Sequence, residues 1–422
     1  MSVQRAMGGL APTDGVLGLG SERFTPAVAP AVSAFAVNLP FDQIPPLVNT
    51  LVDLPLDGDT IRRVVERVGG VAEAAEQAVI AVLTAETAQP AVAEAEAALP
   101  EAAEPMATER EFPPGAHRLP VLAPDALVVS VDGAMAPFRA GHVYHEVKVG
   151  VCRPLRRVSP TPTASGASPW EPLQEPGYCL GVEPRPAFWA RVRAHALQQG
   201  LASPTCTLVI LLGDGADWIW RDADEHLGGQ GRQIVKILDI FHAREHLWAY
   251  GRSYFDTEIA AKAWAEPLNS RLETDGPGPI LAAMAALEAQ HPGADPEKVA
   301  EHHRYFTNQA DRMDYPRYRA LELPIGSGIV EGACKILVKQ RLDAGGMWWN
   351  PGGIQSIGTL RALYRSGRER WRALWAGCPY AAERGRAPGV PDGPVRGDRR
   401  GRLAGASSRR AGVFAHCLDN GK

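Results

Sequence analysis

The sequence predicts a mixed α/β domain that carries an α-helical insertion and follows a small helical region. Three observations predict it. Residues 127–134 (LVVSVDGA) and 206–214 (CTLVILLGD) are short apolar runs of strand length. Residues 145–152 (HEVKVGVC) alternate apolar and polar side chains, as an antiparallel neighbour of the first run would. Residues 256–318 hold only helical patterns, broken once at DGPGP, 275–279. The order strand, strand, helix, strand, strand, helical insert, helix suits a sheet core covered by helices.

The elements follow in turn. Residues 16–70 read as short helices, at 25–39 and 41–54 and then at 61–68. The last is capped by Asp59-Thr60 and stopped by Gly69-Gly70. Helices in series suggest a helix-turn-helix-like unit for DNA binding or assembly over 1–70, with a plain helical scaffold as the alternative. Residues 71–124 are an acidic Ala/Glu/Pro-rich linker whose first part can be helical and whose remainder is broken by Pro90 and Pro100. The core spans 125–375. Within it, 154–176 is a Pro/Ser-rich loop and 188–199 an amphipathic helix. Residues 234–248 pass from strand into helix, and 324–342 form a helix opened by glycine. Residues 376–422 are a low-complexity basic tail, expected to be disordered.

Composition narrows the function classes. The chain of 422 residues is 45% hydrophobic and 22% charged, ordinary for a globular protein. It has no uninterrupted apolar run of about 18 residues, so no membrane span is expected. The opening MSVQRAMGGLAPTDG has no apolar secretory core, which suggests the cytoplasm. Cysteines 152, 179, 206, 334, 378 and 417 form no C-x-x-C, which argues against a zinc knuckle or a disulfide framework. The net charge of −4 hides an asymmetry. Residues 1–115 carry about ten more acids than bases, and 361–422 about nine more bases than acids. A polyanionic partner is therefore neither required nor excluded.

Candidate chemistry lies in acids at element ends. Asp132 ends the first strand, Asp214 ends the strand LVILLGD, and Glu331 sits in the first turns of the last helix. Hard divalent cations are held by such convergent carboxylates, although an aspartate after a strand is more often a turn residue. Asp217 is the alternative to Asp214. A different chemistry is written at His242-Ala-Arg-Glu245-His246, an H-x-x-E-H string of the kind that binds zinc in metalloproteases, for which Glu322 is the available third ligand. Gly326-Ser-Gly328 misses the dinucleotide fingerprint, having Glu331 where a third glycine belongs and no strong strand before it.

Taken in order, VSVDGA, LGDGADWIW, ILDIFHAREHL and LPIGSGIVEGACKILVKQRLDAGGMWW closely resemble the motifs of ISKra-type insertion-sequence transposases, relatives of the Mutator-like group. The resemblance runs from about Leu17 to Trp371 and includes the upstream LGLG…FTP and LPFDQ…DTIRRVVERVGG segments. It implies a ribonuclease-H-like core interrupted by a helical insertion, with a DDE triad. Asp132 matches the acid of VDG, Asp214 that of DG, and Glu331 that of GSGxVE. The implied cofactor is Mg2+ (or Mn2+), and the implied reaction is strand cleavage and strand transfer on double-stranded DNA at element ends and target. A homo-oligomer on DNA, associated with the nucleoid, is implied as well. Asp239 and His242 resemble the C/D-x-x-H signature of Mutator-like enzymes and are expected near the site.

Lys335 and Lys339 follow Glu331 at i+4 and i+8, and Arg341 lies nearby. Phosphate contacts are expected of all three, against a solvated basic helix face. Trp218, Trp220, Trp348 and Trp349 are expected in the core, with base stacking an alternative for the last two. Two rival functions remain: a non-catalytic DNA-binding protein derived from a transposase, and a zinc metalloprotease.

Overall fold

The computed structural model describes residues 28–52, 56–87, 122–158, 168–229, 231–291 and 296–377. The expected tail from 378 onward and most of the expected linker, 88–121, lie outside the described residues.

The N-terminal helices are α1 (Val28–Ala36), α2 (Pro45–Val52) and α3 (Gly58–Thr87). At 30 residues, α3 runs straight through Gly69-Gly70, where the sequence predicts a stop. The reason is packing. A Cβ at Gly69 would lie 2.7 Å from the Ser356 backbone oxygen, so this glycine is a notch for a close helix crossing. It lies inside a stretch of good helix formers, and its propensity cost of about 1 kcal/mol is too small to end the helix. The segment read as linker therefore begins as helix.

β1 (Ala126–Phe138) and β2 (Val143–Arg157) form a long antiparallel ladder, from Ala126↔Leu155 to Phe138↔Val143. β1 outlasts the expected strand because Ala134, Ala136 and Phe138 continue the buried alternation while Met135 faces out. Its turn uses positive φ at Gly141 (71°) and His142 (48°). β3 (Trp170–Pro172) and β4 (Gly177–Gly181) then pair with the outer edge of β2. Neither is expected from sequence. Their three and five residues include Pro172, Gly177 and Gly181, and only the partner strand makes them β.

α4 (Arg185–Gln198) leads to β5 (Leu208–Gly213). Two short helices, α5 (Asp217–Arg221) and α6 (Ala223–Leu227), lead to β6 (Gln233–Leu238). β5 runs parallel to both β1 and β6, giving a mixed six-stranded sheet of order β3-β2-β1-β5-β6 with β4 also on β2. α7 (Ile240–Arg252) follows directly. The expected insertion is α8 (Glu258–Asp275), α9 (Gly278–Gln290), α10 (Pro296–Gln309) and α11 (Tyr315–Ala320). Its break falls at Gly276, whose φ is 74°. The chain closes with α12 (Gly328–Cys334), which continues through a π turn (Lys335–Lys339), then α13 (Pro351–Arg365) and α14 (Arg368–Gly377).

Two apolar clusters cover the sheet. One joins β1, β5 and β6 to Phe188, Trp189 and Val192 of α4 and to the insertion through Met284 and Phe306. The other joins Val147 and Val149 of β2 to Ile61, Val64 and Val68 of α3 and to Ile354 and Ile357 of α13. Arg341 packs against this second cluster. It is 1% exposed, lies over the rings of Phe41 and Trp349, and donates from Nε to the Ala36 oxygen at 2.8 Å. The expected phosphate contact at Arg341 is thus overturned, because its guanidinium anchors the N-terminal helices. Trp349 is buried and Trp348 half-buried, the latter edge-on to His142. No described helix is long and apolar enough to cross a membrane.

Candidate metal centre

Sheet register brings three aspartates to one level. The parallel pairing of β1 with β5 ends at Ser130↔Leu212, and two residues further each chain presents an aspartate, Asp132 and Asp214. β5 and β6 end their pairing at Gly213↔Leu238, and the next residues are Asp214 and Asp239. The Asp239 N–H donates to the Gly213 oxygen at 2.8 Å, which fixes that neighbourhood. Strands about 4.8 Å apart thus present acids side by side just past the end of the parallel pairing, Asp214 and Asp239 after their strands and Asp132 inside β1, which runs on to Phe138.

Glu331 arrives from α12. Asp239 is fully buried and ties that helix to the sheet: one of its carboxylate oxygens accepts from the Phe241 N–H at 2.6 Å, capping α7. The other accepts from the Ser327 N–H at 2.8 Å and from the Ser327 hydroxyl. That hydroxyl also lies 3.4 Å from Glu331 Oε1. The Ile240 N–H adds a bond to the Ile325 oxygen at 3.0 Å. As a result Asp239, His242 and Glu331 each present a ligand atom, all within 4.8 Å of one another. Glu331's tight neighbours are therefore Asp239 and His242. Asp132 and Asp214 stand beside this trio as the adjoining members of the acid row.

Electrostatics ties the five together. Burial pushes the Asp132 carboxyl above its ordinary range, and the Asp214 charge adds to the effect. Glu331 is raised by burial and then by Asp239, while His242 pulls the other way. Cys334 lies one turn after Glu331 with its Sγ 3.4 Å from Asp132 Oδ2. Its thiol is pushed far up by burial, then by Asp132, Asp214 and Glu331. The thiol's contact with Asp132 is thus the point where the Glu331 helix meets the acid row.

The insertion grips the Asp214 turn. Tyr305 of α10 donates its hydroxyl to the Asp214 backbone oxygen at 2.9 Å, and Gln309 Nε2 donates to the Gly215 oxygen at 2.8 Å. Gly215, at φ 108°, leaves room for the Tyr305 ring, which a Cβ would meet at 2.7 Å. His246 stacks on Tyr305 with centroids 3.7 Å apart and shares a 3.0 Å contact with His302. Burial, then His302, pushes His246 down to about 4, so it is neutral.

The H-x-x-E-H string does not converge. His246 faces the insertion while His242 pairs with Glu245 at 3.6 Å, and Glu322 is exposed. Among the described residues, the trio of Asp239, His242 and Glu331 is the one metal-capable group, and it omits His246 and Glu322. Asp217 is also set aside. Its side chain is 80% exposed on α5 and faces Arg221 at 3.9 Å, whereas Asp214 closes the strand end and accepts from the Ala216 N–H at 2.9 Å. Lys335 is exposed beyond Glu331. Lys339 donates to the Met135 oxygen at 2.9 Å and pairs with Asp343 at 3.0 Å.

Sequence reasoning missed Ser327, Cys334 and Tyr305. Ser327 and Cys334 stand four residues before and three after Glu331, a helical spacing that was legible; Tyr305, 91 residues from Asp214, was not. Compared with known proteins, the chain matches no protein-family model and no curated protein.

Proposed function

We propose that the chain is a metal-dependent polynucleotidyl transferase of the DDE transposase type, with a ribonuclease-H-like core. Its substrates would be double-stranded DNA at the ends of an insertion element and at a target, with the protein assembled as a homo-oligomer on that DNA. The observation that carries this reading is the row of Asp132, Asp214 and Asp239 set by the register of β1, β5 and β6, to which Asp239 and Ser327 tie the Glu331 turn. The antiparallel β1–β2 pair beside parallel β5 and β6, with a helical insertion between α7 and α12, supports the same reading.

The donor set fits a divalent cation. Its carboxylates are hard oxygen donors suited to Mg2+, and the His242 nitrogen also suits Mn2+. Asp132 and Glu331 are both pushed up by burial and by acidic neighbours, so the site carries negative charge that a cation would offset. Asp132, Asp214 and Glu331 would hold the metal, Glu331 from within the trio it forms with Asp239 and His242. When bound, such ions polarise the phosphate and stabilise the attacking and leaving oxygens. In the reaction a water oxygen attacks phosphorus and the strand's 3′-oxygen leaves. The freed 3′-hydroxyl then attacks a target phosphodiester, whose own 3′-oxygen departs. Asp239 and Ser327 hold Glu331 to the sheet, and Tyr305 and Gln309 hold Asp214. Lys335 and Lys339 would face the DNA backbone.

Incubating the protein with duplexes that carry its element's ends, with Mg2+ or Mn2+ and with chelator, tests this reading. Nicking and strand joining that need the metal and vanish in Asp214→Asn and Glu331→Gln are expected. His246→Ala should retain cleavage, because its ring faces the insertion. Peptide cleavage with bound zinc and dependence on His246 would replace this reading with the protease.

A further inference from the structure

Helix α7 carries an aromatic strip that the fold does not use. Phe241 is 55% exposed and Trp248 is 38% exposed. Seven residues apart, they share one face and lie about 10 Å apart along the axis. Each has a guanidinium over its ring, Arg244 at 6.0 Å for Phe241 and Arg252 at 4.6 Å for Trp248. The strip begins at the metal-capable trio, since Phe241 lies between Asp239 and His242 in the chain.

Phe241 is held in place. Its N–H is bound by Asp239 at 2.6 Å, and its ring edge abuts Gly326, where a Cβ would lie 2.9 Å from Cε2. One side of the ring is thus packed on the turn that delivers Glu331, while more than half of the side chain faces solvent. Glu245 lies between the two aromatics on the helix, is 74% exposed, and pairs with His242 at 3.6 Å. Arg244 and Arg252 are already paired, with Glu273 at 2.5 Å and Glu258 at 3.0 Å, so with the Glu245 charge the strip has no free cation for phosphates and offers its aromatic faces to the flat faces of bases.

We infer that Phe241 is a substrate-positioning residue that stacks on the nucleobase flanking the scissile phosphate, with Trp248 extending the same track for the next bases. This rests on the polynucleotidyl transferase reading above and adds what the substrate does beside the metal centre. The occupant is a nucleotide of an unpaired or frayed strand, because a base inside a duplex offers no free face.

The test uses the full chain and a DNA duplex with a short single-stranded 3′ end carrying 2-aminopurine, with Ca2+ in place of Mg2+. Binding is followed by anisotropy and stacking by 2-aminopurine emission. The wild type should bind and quench the emission. Phe241→Ala should lose the quenching even at saturation and bind about tenfold more weakly, within the range of one base–aromatic stack. Phe241→Tyr should restore both. Quenching by Phe241→Ala equal to the wild type's would overturn the assignment while leaving the transferase reading standing. A change in oligomeric mass in Phe241→Ala, with the probe signal unchanged, would overturn it in favour of a contact between copies. Absence of DNA binding by the wild type would remove the transferase reading and this inference together.

Discussion

Two groups of carboxylates in this protein behave in opposite ways. On α3, Glu76 faces Arg191 of α4, which Glu183 also binds at 2.6 Å, and accepts from His195 at 2.7 Å. Burial pushes Glu76 up, but Arg191 and His195 outweigh it and hold its carboxyl below the ordinary range. At the acid row, partial desolvation pushes half-buried Asp132 and the more exposed Glu331 up, and their nearest acids push the same way. Two unit charges 4 Å apart interact by about 4 kcal/mol at an effective dielectric near 20, so the sign of the neighbour decides the outcome. The first group is complete within the chain and joins two helices. The second is complete only with an added positive charge, which is how a fold marks a cation site rather than a brace.

The comparison can be broken most severely at Arg191. Arg191→Met leaves Glu183 without its counter-charge and Glu76 with His195 alone, and should cost about 3–5 kcal/mol, read as a lower urea midpoint at unchanged slope. A loss under about 1 kcal/mol would mean that the network is not the joint described here.

At the acid row, Ser327→Ala removes one tie between Asp239 and the Glu331 turn. It should weaken the metal's stabilisation of the fold and its support of cleavage by about 10–100-fold in concentration, with Ser327→Thr restoring both. Equal metal dependence in Ser327→Ala would show that Glu331 is positioned without it.

The two groups should also answer pH oppositely. Glu76 is lowered on folding, so its contribution is present above the ordinary carboxylate range and lost as pH falls through and below it. Asp132 and Glu331 are raised, so metal-free protein should lose stability as pH rises from the ordinary carboxylate range to their folded values. Added Mg2+ or Mn2+ should offset that loss, and Asp132→Asn should raise the metal-free melting temperature by a few degrees. Thermal scans across pH, with cation and with chelator, check both signs.

The smallest effect expected is on binding. Lys335→Ala with Lys339→Ala should flatten the salt dependence of DNA affinity by about one log–log unit per lost phosphate contact. Arg341→Leu should leave that slope unchanged and lower stability, since Arg341 is core.

Much of this was legible in the sequence because it is local. β1, β2, β5, β6, the insertion and its break at Gly276 follow from apolar periodicity and from glycine and proline placement. So does the position of Asp214 after β5, whereas Asp132, expected to end its strand, lies inside β1, which runs on to Phe138. What was not legible depends on partners distant in the chain. β3 and β4 exist only against β2, and Gly69 reads as a helix stop until Ser356 is seen across from it. Arg341 follows a basic helix and looks like a surface cation, but the π turn at Lys335–Lys339 and the N-terminal helices place it inside. Asp239 is expected near the site from its motif alone, and its bonds to Phe241 and Ser327 show that it also caps α7 and ties the Glu331 turn to the sheet.

The central claim is that the carboxylates do chemistry rather than bind DNA. Wild-type protein and Asp132→Asn, each shown to be folded, should be compared for nicking and for affinity on the same element-end duplex with Mg2+. The wild type should nick and join strands. Asp132→Asn should bind equally or slightly more tightly, because one repulsive charge facing the phosphate is gone, and should show no cleavage. Robust nicking by Asp132→Asn would contradict the account.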